Sequence, residues 1–466
     1  MPKKKTALTI EERLQQALVP AEEQPYEVPE NWVWVRLGAF AETISKGTTP
    51  KGGSAAYVDE GVNFLRVENL TSDGYISHSK ITHITEEMHE NYLKRSILKA
   101  NDLLISIAGS LGKSAIVREC DLPINTNQAI AFVRLFADKI DVNYIRNTIE
   151  SPLINSVLTK QTKVTSIPNL TLEIIKDCPI PLPPLSEQQR IVERIEELFA
   201  KLDEAKERLQ EVADSFAVRK AAILHKAFTG ELTKQWRLEN GVSDESWVEE
   251  TIGDVCTVNP KKIDAKNLDD NLEVSFVPMA AVSDVFGEIV NHEVKNLQDV
   301  RTGFTNFSEG DVIFAKITPC MENGKSAIVG PLVNDIGYGS TEFYVLRCKE
   351  EFYNKYLYHM VRNTTFRAEA KAVMTGAVGQ QRVPKTFLQE YQLLLPSLSE
   401  QHEIVHLIDD LLARARSAQQ ATEQALASID LMKKSILARA FRGELGTNKA
   451  SEASALELLR QVLAEG

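Results

Sequence analysis

The stretch Ser186–Gly230, SEQQRIVERIEELFAKLDEAKERLQEVADSFAVRKAAILHKAFTG, decides the fold. Its residues Ile191, Ile195, Leu198, Leu202, Ala205, Leu209, Val212, Phe216 and Ile223 recur in alternating steps of four and three, broken only at Arg219. That spacing lays one apolar seam along a long helix, and the seam needs a second helix to cover it. The second helix is written in the same chain. Leu398–Leu445 carries Ile404, Ile408, Leu411, Ala415, Ala418, Thr422, Ala425, Ile429, Met432 and Ile436, each 213 positions after its counterpart. Both helices open on Ser-Glu-Gln and end on Ala-Phe-X-Gly-Glu-Leu, so the chain reads as a tandem repeat. Ser186 is expected as the N-cap with Gln189 closing a capping box, and Gly230 as the C-cap.

Outward from this helix the repeat continues. PENWVWVRLG at Pro29 is echoed by DESWVEETIG at Asp244, and the hexapeptide GKSAIV occurs at both Gly112 and Gly324. Between these anchors the sequences diverge: GTTPKGGSAAYVDEG has no close match, and VNPKKIDAKNLDDN stands in its place. A repeated frame with unlike loops is what two copies of one scaffold reading two different things would look like. Short β-rich runs at Val62–Val67, Leu103–Ile107 and Ala129–Leu135 alternate with Gly, Asn and Ser turns, and a helical segment covers 142–159. The expected fold is mixed α+β, with two repeated domains separated by two long antiparallel coiled-coil helices related by a pseudo-two-fold axis. The expected divisions are an N-terminal helix and linker at 1–28, a first domain at 29–183, a spacer helix at 184–230, a linker at 231–243, a second domain at 244–396, a spacer helix at 397–445 and a tail at 446–466.

Composition narrows the class. At 466 residues the chain exceeds a single growing core, and 43% hydrophobic with 25% charged residues fits a globular protein. No apolar run reaches the ~20 residues of a membrane span. The N-terminus has positive charge but no apolar signal core, and its Ile10, Leu14 and Leu18 suit a short amphipathic helix, so a cytoplasmic location is expected. Cys120, Cys178, Cys256, Cys320 and Cys348 show neither disulfide-framework nor zinc spacing. A net charge of -12 runs against the basic excess usual in nucleic-acid binders, so any such role must rest on local clusters.

Motifs for chemistry fail one by one. GKSAIV lacks the glycine that a P-loop needs five residues earlier, where Ile107 and Pro319 stand, so it reads as a turn followed by a buried strand, with Lys113 and Lys325 placed to meet a phosphate backbone. His402 and His406 in HEIVH resemble a zinc-protease string, yet the seam puts both on the outer helix face. No dinucleotide loop, serine elbow or adenine-methyltransferase string is present, and no catalytic, cofactor-binding or metal-ligating residue is assigned. What remains are turns rich in small donors and cations. In the first half these are Lys46, Thr48, Thr49 and Lys51, the strand end Arg66, then Lys113, Asn125, Asn127, Gln128, Lys160 and Lys163. In the second half they are Lys261, Lys262, Lys316, Lys325, Ser340, Thr341, Gln380, Gln381 and Arg382. Asn, Gln, Arg and Lys read base edges, while Ser, Thr and Lys hold phosphates.

Two divergent α/β units, each followed by a long helix that is introduced by a PLPPLSEQ-type segment and ended by AFxGEL, resemble the DNA-specificity subunit of type I restriction-modification enzymes. The resemblance runs from about Trp32 to Leu445 and is most specific at Pro181–Leu198, Leu395–Leu412, Ala227–Leu232 and Ala440–Leu445. It implies that each α/β unit is a target recognition domain for one half-site of double-stranded DNA, with the helices as spacer. It further implies two modification (methyltransferase) subunits that supply S-adenosylmethionine, and restriction (motor-nuclease) subunits that use ATP and Mg, with no cofactor in this chain. A helix of about 40 residues is ~60 Å long, enough to separate two readers by at least one DNA turn of ~34 Å. The small residues Ala415, Ala418, Thr422 and Ala425 permit close helix approach or leave a groove for another protein's helix. The rival readings are a coiled-coil scaffold for proteins that never touches DNA, which net acidity favours, and a self-sufficient methyltransferase, which the missing catalytic string disfavours.

Overall fold

A computed structural model describes residues 8–465 except 72, 137–138, 161–169, 266 and 378. It forms two compact units, Met1–Leu209 with Ala425–Gly466, and Gln210–Gln424.

In the first unit, Thr9 caps α1 (Ile10–Ala17) through a capping box with Glu12, and the apolar face of the helix buries Leu14 and Ala17. The domain that follows contains β1 (Val33–Arg36), β2 (Ala41–Lys46), β3 (Val62–Leu65), β4 (Thr82–Ile84), β5 (Leu103–Ser106), β6 (Ser114–Ile116), β7 (Ile124–Thr126) and β8 (Ile130–Leu135). After them come α2 (Val142–Glu150), α3 (Pro152–Lys160), α4 (Leu172–Lys176) and β9 (Pro179–Leu182). The antiparallel sheet β2-β8-β5-β6 faces a smaller sheet β4-β3-β7, in which β3 and β7 run parallel. Leu65, Leu104, Ile124 and Phe132 fill the layer between the sheets. β1 pairs with β9, Val33 opposite Leu182, so both ends of the domain meet where the long helix begins. The expected helical segment at 142–159 is two helices. Ser151 is extended between them (φ -58, ψ 140), and Pro152, which lacks an N–H, takes the first helical position of α3.

The second unit repeats this plan. Its elements are α5 (Leu185–Phe228), of which it holds the second half, α6 (Lys234–Asn240), β10 (Val248–Thr251), α7 (Ile252–Val255), β11 (Cys256–Val258), β12 (Glu273–Val277) and β13 (Glu293–Asn296). Next are α8 (Leu297–Val300), β14 (Thr305–Phe307), β15 (Val312–Ala315), β16 (Ser326–Ile328), β17 (Gly337–Gly339) and β18 (Phe343–Cys348). α9 (Asn354–Arg362), α10 (Thr364–Ala372), α11 (Lys385–Glu390) and β19 (Gln392–Leu395) complete the domain. The sheet orders are β11-β18-β15-β16 and β13-β12-β17-β14, with β10 paired to β19. β14 has a trace in the first unit, where Ile97 makes a single bridge to Asn125 on β7.

Two further helices, α12 (Leu398–Ala440) and α13 (Ala455–Glu465), end the chain. In the first unit the start of α5 runs antiparallel to the end of α12, with Asp203 on Lys433 at 2.5 Å and Lys206 on Asp430 at 3.8 Å. Ile191, Ile195, Leu437 and Ala440 share one core with Trp32 and Trp34. The stretch read as a C-terminal tail contributes Leu459 and Val462 of α13 to that core, next to Leu14 of α1. In the second unit Leu224 and Ala227 pack with Ile404 and Ile408.

The heptad positions are unevenly buried: Phe216, Thr422 and Ile429 are covered, and others are not. Val212 and Met432 are 38% and 48% exposed, Ala418 is exposed, and Leu224 and Leu437 are more deeply buried than Ile223 and Ile436. An unsupercoiled helix drifts about 20° per heptad against a strict seven-residue repeat, so over about four to five heptads burial passes from Ile223 and Ile436 to the next residues, Leu224 and Leu437. Ser186 is also not the N-cap: α5 starts one residue earlier, and the Ser186 hydroxyl bonds Glu452 at 3.1 Å. In the second copy Ser397 precedes the helix, and its Oγ accepts from the Glu400 N–H at 3.4 Å. Gly230 and Gly443 both turn the chain after their helices at φ +76.

Candidate nucleic-acid interface

Strand direction gathers the candidate residues of the first unit at one end of its larger sheet. β2 ends at Lys46, β8 begins at Ile130, β5 ends at Ser106 and β6 begins at Ser114, so the loops Lys46–Lys51, Asn127–Gln128 and the turn at Lys113 all emerge there. The loops are laced together through backbone. Gly47 N–H donates to the Ile130 carbonyl at 3.0 Å and Thr48 N–H to the Thr126 carbonyl at 3.1 Å. A Cβ at Gly47 would stand 2.1 Å from the Asn127 carbonyl oxygen and 2.2 Å from that of Thr126, so only glycine admits this approach.

On this platform Lys46, Lys51, Lys113 and Gln128 are exposed, while Thr48, Thr49 and Asn127 are half-buried. Asn127 Oδ1 accepts from the Ala129 N–H at 3.1 Å, which fixes the turn. Arg66 follows β3 beside Asn127 and pairs with Glu68 at 2.5 Å. Tyr92, an exposed ring with the Lys51 ammonium 5.4 Å from its centroid, belongs to the same surface; no periodicity marks it in the sequence.

Asn125 is a correction. Placed among the base readers, it is fully buried on β7: its Nδ2 donates to the Leu93 carbonyl and meets His89 Nδ1, each at 3.2 Å, and its Oδ1 accepts from the Thr126 N–H at 2.8 Å. Burial holds the His89 imidazole below its ordinary pKa, which keeps the ring neutral and lets Nδ1 accept. Lys160 ends α3, and Lys163 lies outside the described residues.

The second unit gathers Lys261, Lys262, Lys316, Lys325, Ser340 and Thr341 at the corresponding end of β11-β18-β15-β16. The run Gly379–Arg382 is stitched onto the same end, since Thr318 N–H donates to the Gln381 carbonyl at 3.0 Å and Val383 N–H to that of Lys316 at 2.9 Å. Lys261, Thr341 and Gln380 are exposed, and Lys316 sits 5.2 Å from the Tyr344 ring centroid. Several side chains here already have protein partners. Arg382 makes a bidentate pair with Glu342 at 2.9 and 2.7 Å, whose carboxyl it holds below the ordinary range; Lys325 Nζ donates to the Met279 carbonyl at 3.1 Å, and Lys262 Nζ to that of Phe304 at 2.8 Å. The two lysines of GKSAIV therefore differ, Lys113 exposed and Lys325 tied to backbone, although both follow a glycine turn into a buried strand.

Among the described residues no group of three or more His, Cys, Asp or Glu side chains is arranged to hold a metal ion. His402 and His406 are exposed on the outer face of α12, with His402 against Tyr353 at a centroid distance of 4.0 Å. No helix among the described residues is long and apolar enough to cross a membrane.

The sequence model of the type I restriction modification DNA specificity domain matches residues 29–214 and again 244–426. The chain belongs to this family. It is similar to the EcoEI specificity subunit of Escherichia coli, 32% identical over 260 residues, covering 47% of this chain and 43% of that protein. The chain thus spans under half the length of that relative, and 44% of the similarly matched EcoAI specificity subunit of Escherichia coli. The StySPI specificity subunit of Salmonella potsdam is 24% identical over 463 residues, covering 94% of this chain and 96% of that one. Among solved structures, the HsdS subunit from Thermoanaerobacter tengcongensis superposes with a TM-score of 0.63 at 20% identity, over 91% of this chain and 100% of that one, which is a likeness of fold. The two matched specificity domains coincide with the two sheet-and-loop platforms and run on into α5 and α12.

Proposed function

We propose that this chain is the DNA-reading subunit of a type I restriction-modification complex, in which each platform reads one half of an asymmetric two-part duplex target. The observation that carries this reading is that the same end of both four-stranded sheets collects the divergent loops while the rest of the frame repeats. Base-edge donors and acceptors then come from Asn127, Gln128, Gln380 and Gln381, and phosphate contacts from Lys46, Lys51, Lys113, Lys261 and Lys316. α5, at 44 residues, measures about 66 Å along its axis, and helix length is the variable that sets the number of base pairs between half-sites.

In this proposal the chain carries no reaction of its own and works in the cytoplasm. Two modification subunits, binding S-adenosylmethionine, methylate adenines flipped from the duplex, and restriction subunits use ATP and Mg. Methylation mapping of a host genome is the test. An interrupted, asymmetric motif that changes in one half only when the Lys46–Lys51 loop is exchanged is the expected result, and a motif indifferent to that exchange would refute the reading. A salt series on the chain alone is the companion measurement, because a DNA reader loses affinity steeply as counterion release weakens.

A further inference from the structure

The second unit contains a cleft of about 700 Å³ between α9, the turn Ser283–Glu288 and the facing surfaces of α5 and α12. Its wall is largely apolar, and among its charged residues the cations Lys220, Lys355, Arg362 and Arg416 outnumber the acids Glu288 and Asp409. Arg362 donates to the backbone carbonyls of Gly324 and Asp284, each at 2.9 Å, and its guanidinium lies 5.5 Å from the Tyr358 ring centroid. Arg416 stands 5.4 Å from the Phe286 ring centroid, and Lys220 lies across from it on α5. Among the described residues none of these three has a carboxylate within ion-pair distance. Of the two lining carboxylates, Asp409 is engaged by His359 at 3.0 Å and Lys355 at 3.8 Å, which leaves Glu288. Partial burial and the nearby Arg362, Arg367 and Arg416 hold the Lys220 ammonium below the ordinary lysine range.

The first unit supplies an internal control, because the corresponding positions are occupied differently. Lys433 matches Lys220, but its neighbour is Asp203 in the place of Arg416, and the two form an ion pair at 2.5 Å. Glu150, paired with Arg146 at 2.9 Å, stands where the second unit has Arg362. Asn155, bonded to the Gly112 carbonyl at 3.3 Å, stands where it has Arg367. On an otherwise repeated frame, two acids and an amide have become three arginines. Like charges gathered in a partly desolvated cleft repel each other unless an anion joins them, and fixed guanidinium forks match phosphoryl oxygens.

We propose that this cleft is a phosphoryl-anion site, present in the second unit alone, in which Lys220, Arg362 and Arg416 take a phosphate group from either a polynucleotide backbone or a free phosphorylated compound. The volume suits a ligand of nucleotide size, and the Tyr358 and Phe286 rings flank the arginines that would hold its charge.

The test uses the full chain and inorganic tripolyphosphate, titrated by calorimetry at ionic strength matched with chloride. The variant Arg416→Asp restores the residue type that pairs with Lys433 in the first unit, so it is expected to keep its melting temperature while tripolyphosphate affinity falls at least tenfold. Lys220→Gln provides the same loss without a new acid. Equal affinity in wild type and both variants, or no binding to wild type, would overturn the proposal. A second arm measures affinity for duplex DNA against salt. A log–log slope shallower by about 1 in Arg416→Asp identifies a backbone phosphate as the natural occupant, and an unchanged slope with lost tripolyphosphate binding identifies a free phosphorylated compound.

Discussion

The indole N–H of Trp32 donates to Glu187 Oε2 at 2.8 Å, and this buried bond ties the residue before β1 to the first turn of the long helix α5. Asn448 and Thr447, from beyond the far end of α12, bond the same carboxylate at 2.9 and 3.4 Å. In the second unit Arg237 and Thr233 hold Glu400 in the matching place, each at 2.7 Å. The glutamines behave alike: Gln188 bonds the Pro183 carbonyl and the Asp141 N–H, and Gln401 the Pro396 carbonyl and the Tyr353 N–H. The repeated Ser-Glu-Gln is therefore a joint between domain and helix.

The joint differs in one respect between the units. Trp247 Nε1 is buried without a hydrogen-bond partner among the described residues, whereas Trp32 Nε1 has one. Trp32→Phe is expected to cost about 1–3 kcal/mol, because it strips a donor from a buried carboxylate, and Trp247→Phe clearly less. Urea unfolding of the two variants decides this; equal losses would mean that the indole N–H bond contributes nothing.

His89 makes the first unit sensitive to mild acid. Its folded-state pKa lies below the unfolded value, so as pH falls through the ordinary histidine range the unfolded chain takes up a proton that the folded chain refuses, and stability drops. His89→Gln should flatten that part of the stability curve between about pH 7 and 5, measured as thermal midpoint against pH. An unaltered curve would show that another group titrates there.

Gly47→Ala forces a Cβ into backbone carbonyls rather than into a flexible side chain. The expected cost is about 1–3 kcal/mol from overpacking, together with loss of the first half-site and retention of the second. Methylation footprints of the variant report both halves at once.

Replacing both Lys46 and Lys51 with alanine should weaken binding to all duplexes alike and lower the salt slope by about 2, one unit per phosphate contact. The sequence preferred should not change. An altered preference with an intact slope would make these lysines base readers instead.

Hydrophobic period and repetition, which are local properties of the chain, were enough to locate two long helices, two repeated mixed α/β domains and the loops that differ between them. They also placed His402 and His406 on an outer face. They failed where distant residues decide. Ile223 and Ile436 follow the heptad on paper, but the drift of a real helix hands their burial to Leu224 and Leu437. Asn125 has the chemistry of a base reader, and only the parallel pairing of β3 with β7 buries it against His89 and Leu93. Residues 446–466 read as a tail, yet α13 closes the first core beside α1. Arg362, Arg367 and Arg416 lie on three helices, and no spacing joins them. The sequence by itself determined how many units this protein has and of what kind, because burial pattern is written residue by residue; the tertiary structure alone decided which polar side chains face solvent and which charges meet, because those depend on contacts between segments tens to hundreds of residues apart.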